Sequence, residues 1–162
     1  MKSYYSNLQS EEELATIMKY QVTPIGYVEK KEGKPVELLI DSKYWDAAFR
    51  IEEFSHLHVI WWADGLDNEE NRSHLKGVPP VDGAELSGVF ASRSPARPNV
   101  ICLSIVKLEK VDNESKKLIV DQISANDGTP ILDIKPYVPS SDRVDDARVP
   151  RWFRKLEKRY TK

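Results

Sequence analysis

Cysteine is nearly absent from this chain: Cys102 is the one copy among 162 residues. That excludes an intrachain disulfide framework and a cysteine-rich zinc site. With a start that carries no signal-like pattern, it points to a reducing, cytoplasmic home. Cys102 sits in Val-Ile-Cys-Leu, which reads as core and not as an exposed nucleophile. Histidine is also scarce, with three copies. His56 and His58 lie two apart, on one face of a strand, but no third ligand is evident, so we expect a structural pair and no metal. Long apolar runs are missing. The best, Leu57 to Ala63, is interrupted by His58 and is far too short to span a membrane. A large charge of one sign is missing too. The net charge is −2, so nothing global attracts a polyanion and any nucleic-acid contact needs a local basic patch. Finally, no GxGxxG follows a strand and no Walker lysine loop occurs, which removes the common nucleotide-binding folds.

What remains is a chain of ordinary soluble composition, 40% hydrophobic and 31% charged, long enough for one real core. Residues 1–20 read as an acidic N-terminal helix or arm, with Glu11 to Glu13 ahead of Leu14, Ile17 and Met18 at helical spacing. Residues 21–162 read as a single domain. Strands are expected over Val22–Val28, Val36–Ile40, Phe54–Ala63 (buried on both faces), Ala84–Ser92, Val100–Val111, Lys117–Ser124 and Ile131–Ile134. Asp41 or Ser42 caps a short turn or helix to Arg50, with Tyr44, Trp45 and Phe49 as its apolar face. Asp64–Asp82 and Val138–Val149 read as loops. Pro150 opens a basic C-terminal helix whose stripe is Trp152, Phe153, Leu156 and Tyr160. Its cations, Arg151, Arg154, Lys155, Lys158, Arg159 and Lys162, read as the solvated side of a docking helix, with phosphate contact as the alternative. Many short strands and few helices give a mainly β fold: a small antiparallel β-barrel with peripheral helices.

Two segments carry unusual chemistry. In Gly88-Val-Phe-Ala-Ser-Arg-Ser-Pro-Ala-Arg-Pro-Asn99, Pro95 and Pro98 stiffen the loop that presents Arg93 and Arg97, a support for cations that suit a carboxylate or phosphate. Asn126-Asp-Gly-Thr-Pro130 is a turn by its own chemistry, and Asp133, Lys135 and Tyr137 alternate onto one face just downstream.

Together these two segments resemble the signature of the TsaA/TrmO family of tRNA methyltransferases. Glu53-Phe-Ser-His-Leu57 resembles a third block, and the likeness runs from about Thr23 to Trp152. The resemblance implies an antiparallel β-barrel, a homodimer, S-adenosylmethionine bound near the dimer interface, and N6-methylation of a threonylcarbamoyl-modified adenosine beside the anticodon of threonine tRNA. It implies cofactor binding by Arg93, Leu103, Asp64, Gly65, Asp127, Gly128, Thr129 and Pro130. The chain departs from the family pattern at His58, Asp64, Val100 and Cys102, and in the loop Glu29 to Pro35, which is shorter here.

The chemistry then sets the roles. An exocyclic adenine amine is a weak nucleophile that must be aligned with the methyl and must lose a proton. Asp127, Asp133 and Tyr137 all stay open as the proton acceptor. Arg97, Asn99, Lys135 and Phe90 are the candidates for the substrate: Arg97 for an anion, Phe90 for stacking on a splayed base. Two alternatives share the cofactor: a small-molecule methyltransferase, in keeping with the near-neutral charge, and a non-catalytic S-adenosylmethionine sensor, in keeping with the shortened loop. No membrane partner is expected.

Overall fold

The computed structural model describes residues 20–155. The expected N-terminal arm and the basic run after Lys155 lie outside these residues. Eight strands are present: β1 (Gly26–Glu29), β2 (Val36–Ile40), β3 (His56–Trp62), β4 (Lys76–Gly77), β5 (Ser87–Gly88), β6 (Ile101–Asp112), β7 (Lys117–Val120) and β8 (Pro130–Pro136). Six of them pair in the order β1-β2-β7-β6-β3-β8, all antiparallel, and β8 pairs back to β1 to close a barrel. The short β4 and β5 form a separate two-stranded ribbon.

Alternation explains the core. Inward positions of the wall strands are mostly aliphatic: Val28, Leu38, Leu57, Val59, Val106, Leu118, Val120 and Ile131 are almost wholly buried. The barrel is narrow enough for side chains to fill it. One inward polar pair is satisfied internally, the Trp61 indole N–H donating to Ser104 Oγ at 3.1 Å. Gly26 permits the tightest approach in the wall, since a Cβ there would stand 2.1 Å from the Leu39 carbonyl oxygen.

Several expectations change. β3 is not buried on both faces: burial alternates along it, with His58, Ile60 and Trp62 facing outward and only partly covered. The strand expected over Ala84–Ser92 shrinks to the two residues of β5, followed by a 3-10 turn, Val89–Ala91. The loop after β3 contains a 3-10 turn (Asp64–Leu66) and a helix α1 (Glu69–Ser73), capped by Asn68, whose side chain accepts from the Asn71 N–H. A second short helix, α2 (Pro139–Asp142), lies in the segment read as loop. The first strand begins at Gly26 and not Val22. The segment Ser42–Ala48 is a 3-10 helix capped by Asp41, which accepts from the Lys43 N–H at 3.0 Å. Tyr44 and Trp45 pack against the core, but Phe49 is 84% exposed and belongs to no apolar face. Among the described residues the segment after Pro150 forms a 3-10 turn, Phe153–Lys155, and no helix is long and apolar enough to cross a membrane.

Candidate functional site

The antiparallel wall gathers the candidate residues at one end of the barrel. Trp61 stands opposite Ile131 on β8, and Trp62 opposite Ile101 on β6. The Ala63 N–H donates to the Val100 carbonyl at 2.8 Å. The chain therefore leaves β3 into Asp64 and Gly65 beside the point where the arginine loop enters β6, with the 127–130 turn next along the rim. That turn is stitched to β1. The Gly128 N–H donates to the Val28 carbonyl (2.8 Å), the Val28 N–H to the Thr129 carbonyl (3.0 Å), and the Lys30 N–H to Asp127 Oδ1 (2.7 Å). Gly128 has φ of 76°, which the tight turn requires. Glu29 to Pro35 closes the β1–β2 hairpin at the same end, with Gly33 at φ 69°.

The two arginines of the loop do different work. Arg97 turns inward on its own loop: Nε donates to the Ser94 carbonyl (2.8 Å) and Nη2 to the carbonyls of Val89 (2.9 Å) and Ser92 (3.1 Å). It is a brace that satisfies backbone acceptors with no strand partner, and most of its fork is spent there. Arg93 is exposed and makes no hydrogen bond or ion pair among the described residues.

A second brace holds the loop from outside. Arg72 on α1 donates through Nη1 to the Pro98 carbonyl (2.7 Å), pairs with Asp67, and lies over the Trp62 ring at 5.4 Å. The Trp62 indole N–H also donates to Asp67 Oδ2 (3.0 Å). The Arg72 guanidinium beside Asp67 holds its carboxyl below the usual carboxylate range, and the Trp62 donor adds to that. Nothing in the sequence singled out Arg72; its role depends on the folded position of Pro98.

Asp133 and Lys135 do pair on the outer face of β8, at 2.6 Å. Tyr137 follows on that side, with its ring 5.5 Å from His58. His58 Nε2 lies 3.3 Å from Asp142 Oδ2 on α2, while its Nδ1 is buried with no partner. However, the structure separates Asp127 from Tyr137. The Tyr137 N–H donates to the His56 carbonyl, at the far end of β3 from Trp62. Six residue steps of strand put roughly 20 Å between those ends.

Leu103 projects outward from β6 between Ile101 and Ile105, forming an apolar row 39–43% exposed. Phe90 is 85% exposed on its turn, and Asn99 is also exposed. Cys102 points inward, and burial pushes its thiol up, against a smaller opposing pull from Arg97. His56 Nδ1 lies 2.9 Å from Ser55 Oγ. Among the described residues no three His, Cys, Asp or Glu side chains stand together as metal ligands.

Beside Arg93 lies a cavity of about 470 Å³ that sequence reasoning missed. Its walls are the Val78-Pro79-Pro80-Val81 loop, residues Ser92 to Pro95, and the pair Trp152 and Phe153, stacked at 4.2 Å. His74 closes one side, packed so closely on Gly77 that a Cβ there would meet its Nε2 at 2.9 Å. The proline pair lies in the segment read only as loop, and its facing wall comes from the other end of the chain.

Known proteins resemble this chain. An S-adenosyl-L-methionine-binding protein of Archaeoglobus fulgidus is 39% identical over 109 residues, covering 67% of this chain and 73% of that protein. The tRNA (adenine(37)-N6)-methyltransferase of Mus musculus is 40% identical over 107 residues, 65% of this chain and 24% of its own length. A crystal structure of TrmO from Pseudomonas aeruginosa superposes with a TM-score of 0.63 at 30% identity, covering 83% of this chain and 62% of that one. The chain thus spans less than two thirds of the mouse and Pseudomonas proteins, and 30% of a further archaeal relative. The model of the tRNA-methyltransferase O N-terminal domain matches residues 20–143. The chain belongs to this family.

Proposed function

We propose that this protein is an S-adenosylmethionine-dependent methyltransferase acting on the exocyclic N6 of an adenine in tRNA. The observation that carries the reading is Arg93: an uncommitted cation, on a loop braced by Arg97 and Arg72, at the barrel end that also holds Asp64–Gly65 and Asp127–Pro130. The names of the relatives agree with it.

The residues present suit the cofactor. Arg93 offers a fork for the amino-acid carboxylate. Leu103 offers an apolar face for the adenine ring. A Cβ added at Gly65 or Gly128 would meet nothing within 4 Å, so a ligand can lie against backbone there. When bound, S-adenosylmethionine supplies a methyl group on a positively charged sulfur. The protein's part is to hold the acceptor nitrogen in line, exclude water and take the proton released. Asp127 is the acceptor we favour. It stands at this end, and one of its oxygens is fixed by the Lys30 N–H. Asp133 is engaged by Lys135 and by its own Ile134 N–H. Tyr137 lies at the other end of β8 and would act here only from a second copy.

A homodimer is part of this reading, supported by the apolar row Ile101, Leu103 and Ile105 on the outside of the barrel. With Arg97 spent as a brace, Phe90 and Asn99 are the remaining loop candidates for tRNA contact. Threonine tRNA carrying a threonylcarbamoyl adenosine is the substrate we infer. The net charge of −2 favours a second reading, a smaller acceptor on the same barrel.

Calorimetry and a transfer assay test the first reading. Wild type should bind S-adenosylhomocysteine and methylate threonine tRNA from a strain deleted for the activity. Arg93→Ala should weaken the cofactor analogue at least tenfold. Unchanged affinity in Arg93→Ala would remove the assignment of the loop, and cofactor binding without methylated tRNA would favour the smaller acceptor.

A further inference from the structure

We propose that the 470 Å³ cavity beside Arg93 is the seat of the methyl acceptor's base, and that it takes a flat heteroaromatic ring carrying a nearby anionic group. The inference rests on the methyltransferase reading and adds the acceptor's site to it. The volume falls in the ordinary range for small-ligand sites. The walls suit a planar body. Pro79, Pro80 and Pro95 hold fixed φ, so two sides of the cavity are set before a ligand enters, and little ordering entropy remains to be lost. The third side is the stacked Trp152–Phe153 pair, in which Trp152 is buried and Phe153 only half so, leaving an aromatic surface of the kind on which bases stack.

Charge selects the ligand further. Among the described residues the side chains lining the cavity include the Arg93 guanidinium, the His74 imidazole and the hydroxyls of Ser92 and Ser94, and no carboxylate. An isolated cationic ligand would find no counter-charge there, whereas a phosphate or carboxylate beside the ring finds Arg93. The neighbouring cavity of about 560 Å³ differs on this point: it contains Glu85 and shares only Trp152 with the first. The acids that suit a positively charged methyl carrier, Asp64 and Asp127, belong to the barrel rim and line neither cavity. Arg93 lines this cavity, and its five donors can serve an anion on the acceptor as well as the cofactor's carboxylate.

The test uses variants that touch the cavity and not the rim. Val78 is 62% exposed on its loop, so Val78→Trp crowds the cavity with no cost to the core and no new charge beside Arg93; Phe153→Ala removes half the stacking pair. Three probes are titrated: S-adenosylhomocysteine, adenosine 5′-monophosphate, and an RNA hairpin with unpaired loop adenines, alongside the same hairpin with abasic loop positions. We expect both variants to bind S-adenosylhomocysteine within twofold of wild type and to lose at least tenfold in affinity for the nucleotide, the hairpin, or both. A loss confined to the hairpin, and absent with abasic loops, identifies a base within RNA; a loss confined to the monophosphate identifies a free nucleotide. Unchanged affinity for both in both variants overturns the inference. So does a parallel loss of S-adenosylhomocysteine, which would make the cavity the cofactor's own. Failure of wild type to bind S-adenosylhomocysteine at all would instead overturn the methyltransferase reading.

Discussion

At the scale of single residues, the two arginines of one loop show how position overrides type. Both follow a small residue and have a proline within two positions, and both invite the reading of an anion ligand. Only folded geometry separates them. Arg97 meets three carbonyls, of which only that of Val89 has another donor, the Ser92 N–H and hydroxyl, while Arg93 is left to solvent among the described residues. Hydrogen bonds from a charged donor to half-buried acceptors are individually strong, and orphaning the acceptors adds to the loss. Arg97→Ala should therefore destabilise the fold by roughly 3 kcal/mol, read as a lower urea midpoint. Arg97→Lys should recover little of it, because one ammonium cannot reproduce the fork. A full return of stability with lysine would show that the charge alone matters. The sequence could not distinguish the pair, because the carbonyls of Val89, Ser92 and Ser94 converge only once the 3-10 turn at Val89–Ala91 has formed.

At the scale of elements, legibility followed periodicity. β2 appears where its alternation ended at Ile40, and β6 and β8 lie close to their expected bounds because turn residues frame them. The arginine loop and the 127–130 turn were legible as stiff, unusual segments. β3 misled, since outward His58, Ile60 and Trp62 are large and partly covered, so the run read as apolar on both sides. Ala84–Ser92 misled in the other direction: only Val89 and Phe90 favour a strand strongly, and the chain turns at Val89. Barrel closure itself rests on a small residue. Gly26 is where β1 meets both β2 and β8, and its neighbour's backbone leaves no room for a methyl group. Gly26→Ala should cost about 3 kcal/mol or more by forcing those strands apart. Thermal unfolding and amide exchange on β1 would check it; an unchanged melting temperature would mean that the wall yields easily there.

At the scale of the whole molecule, the exposed row on β6 is the feature a lone barrel does not explain. Ile101, Leu103 and Ile105 point the same way from one strand, and Leu103 is also a cofactor candidate. If a second copy covers the row, Ile101→Asp combined with Ile105→Asp should convert a sedimenting dimer to a monomer while leaving Leu103 in place and the far-ultraviolet spectrum unchanged. Cofactor affinity should fall in the same variant if the binding place is shared between copies. A wild type that sediments as a monomer at micromolar concentration would remove the dimer from the reading. The tether made by Arg72 has a different consequence. Its guanidinium lies across the Trp62 ring and grips the loop at Pro98, so any displacement of that loop changes the surroundings of an indole. Trp62 is thereby a built-in fluorophore for the arginine loop, and its emission would register occupancy during a titration without any attached dye.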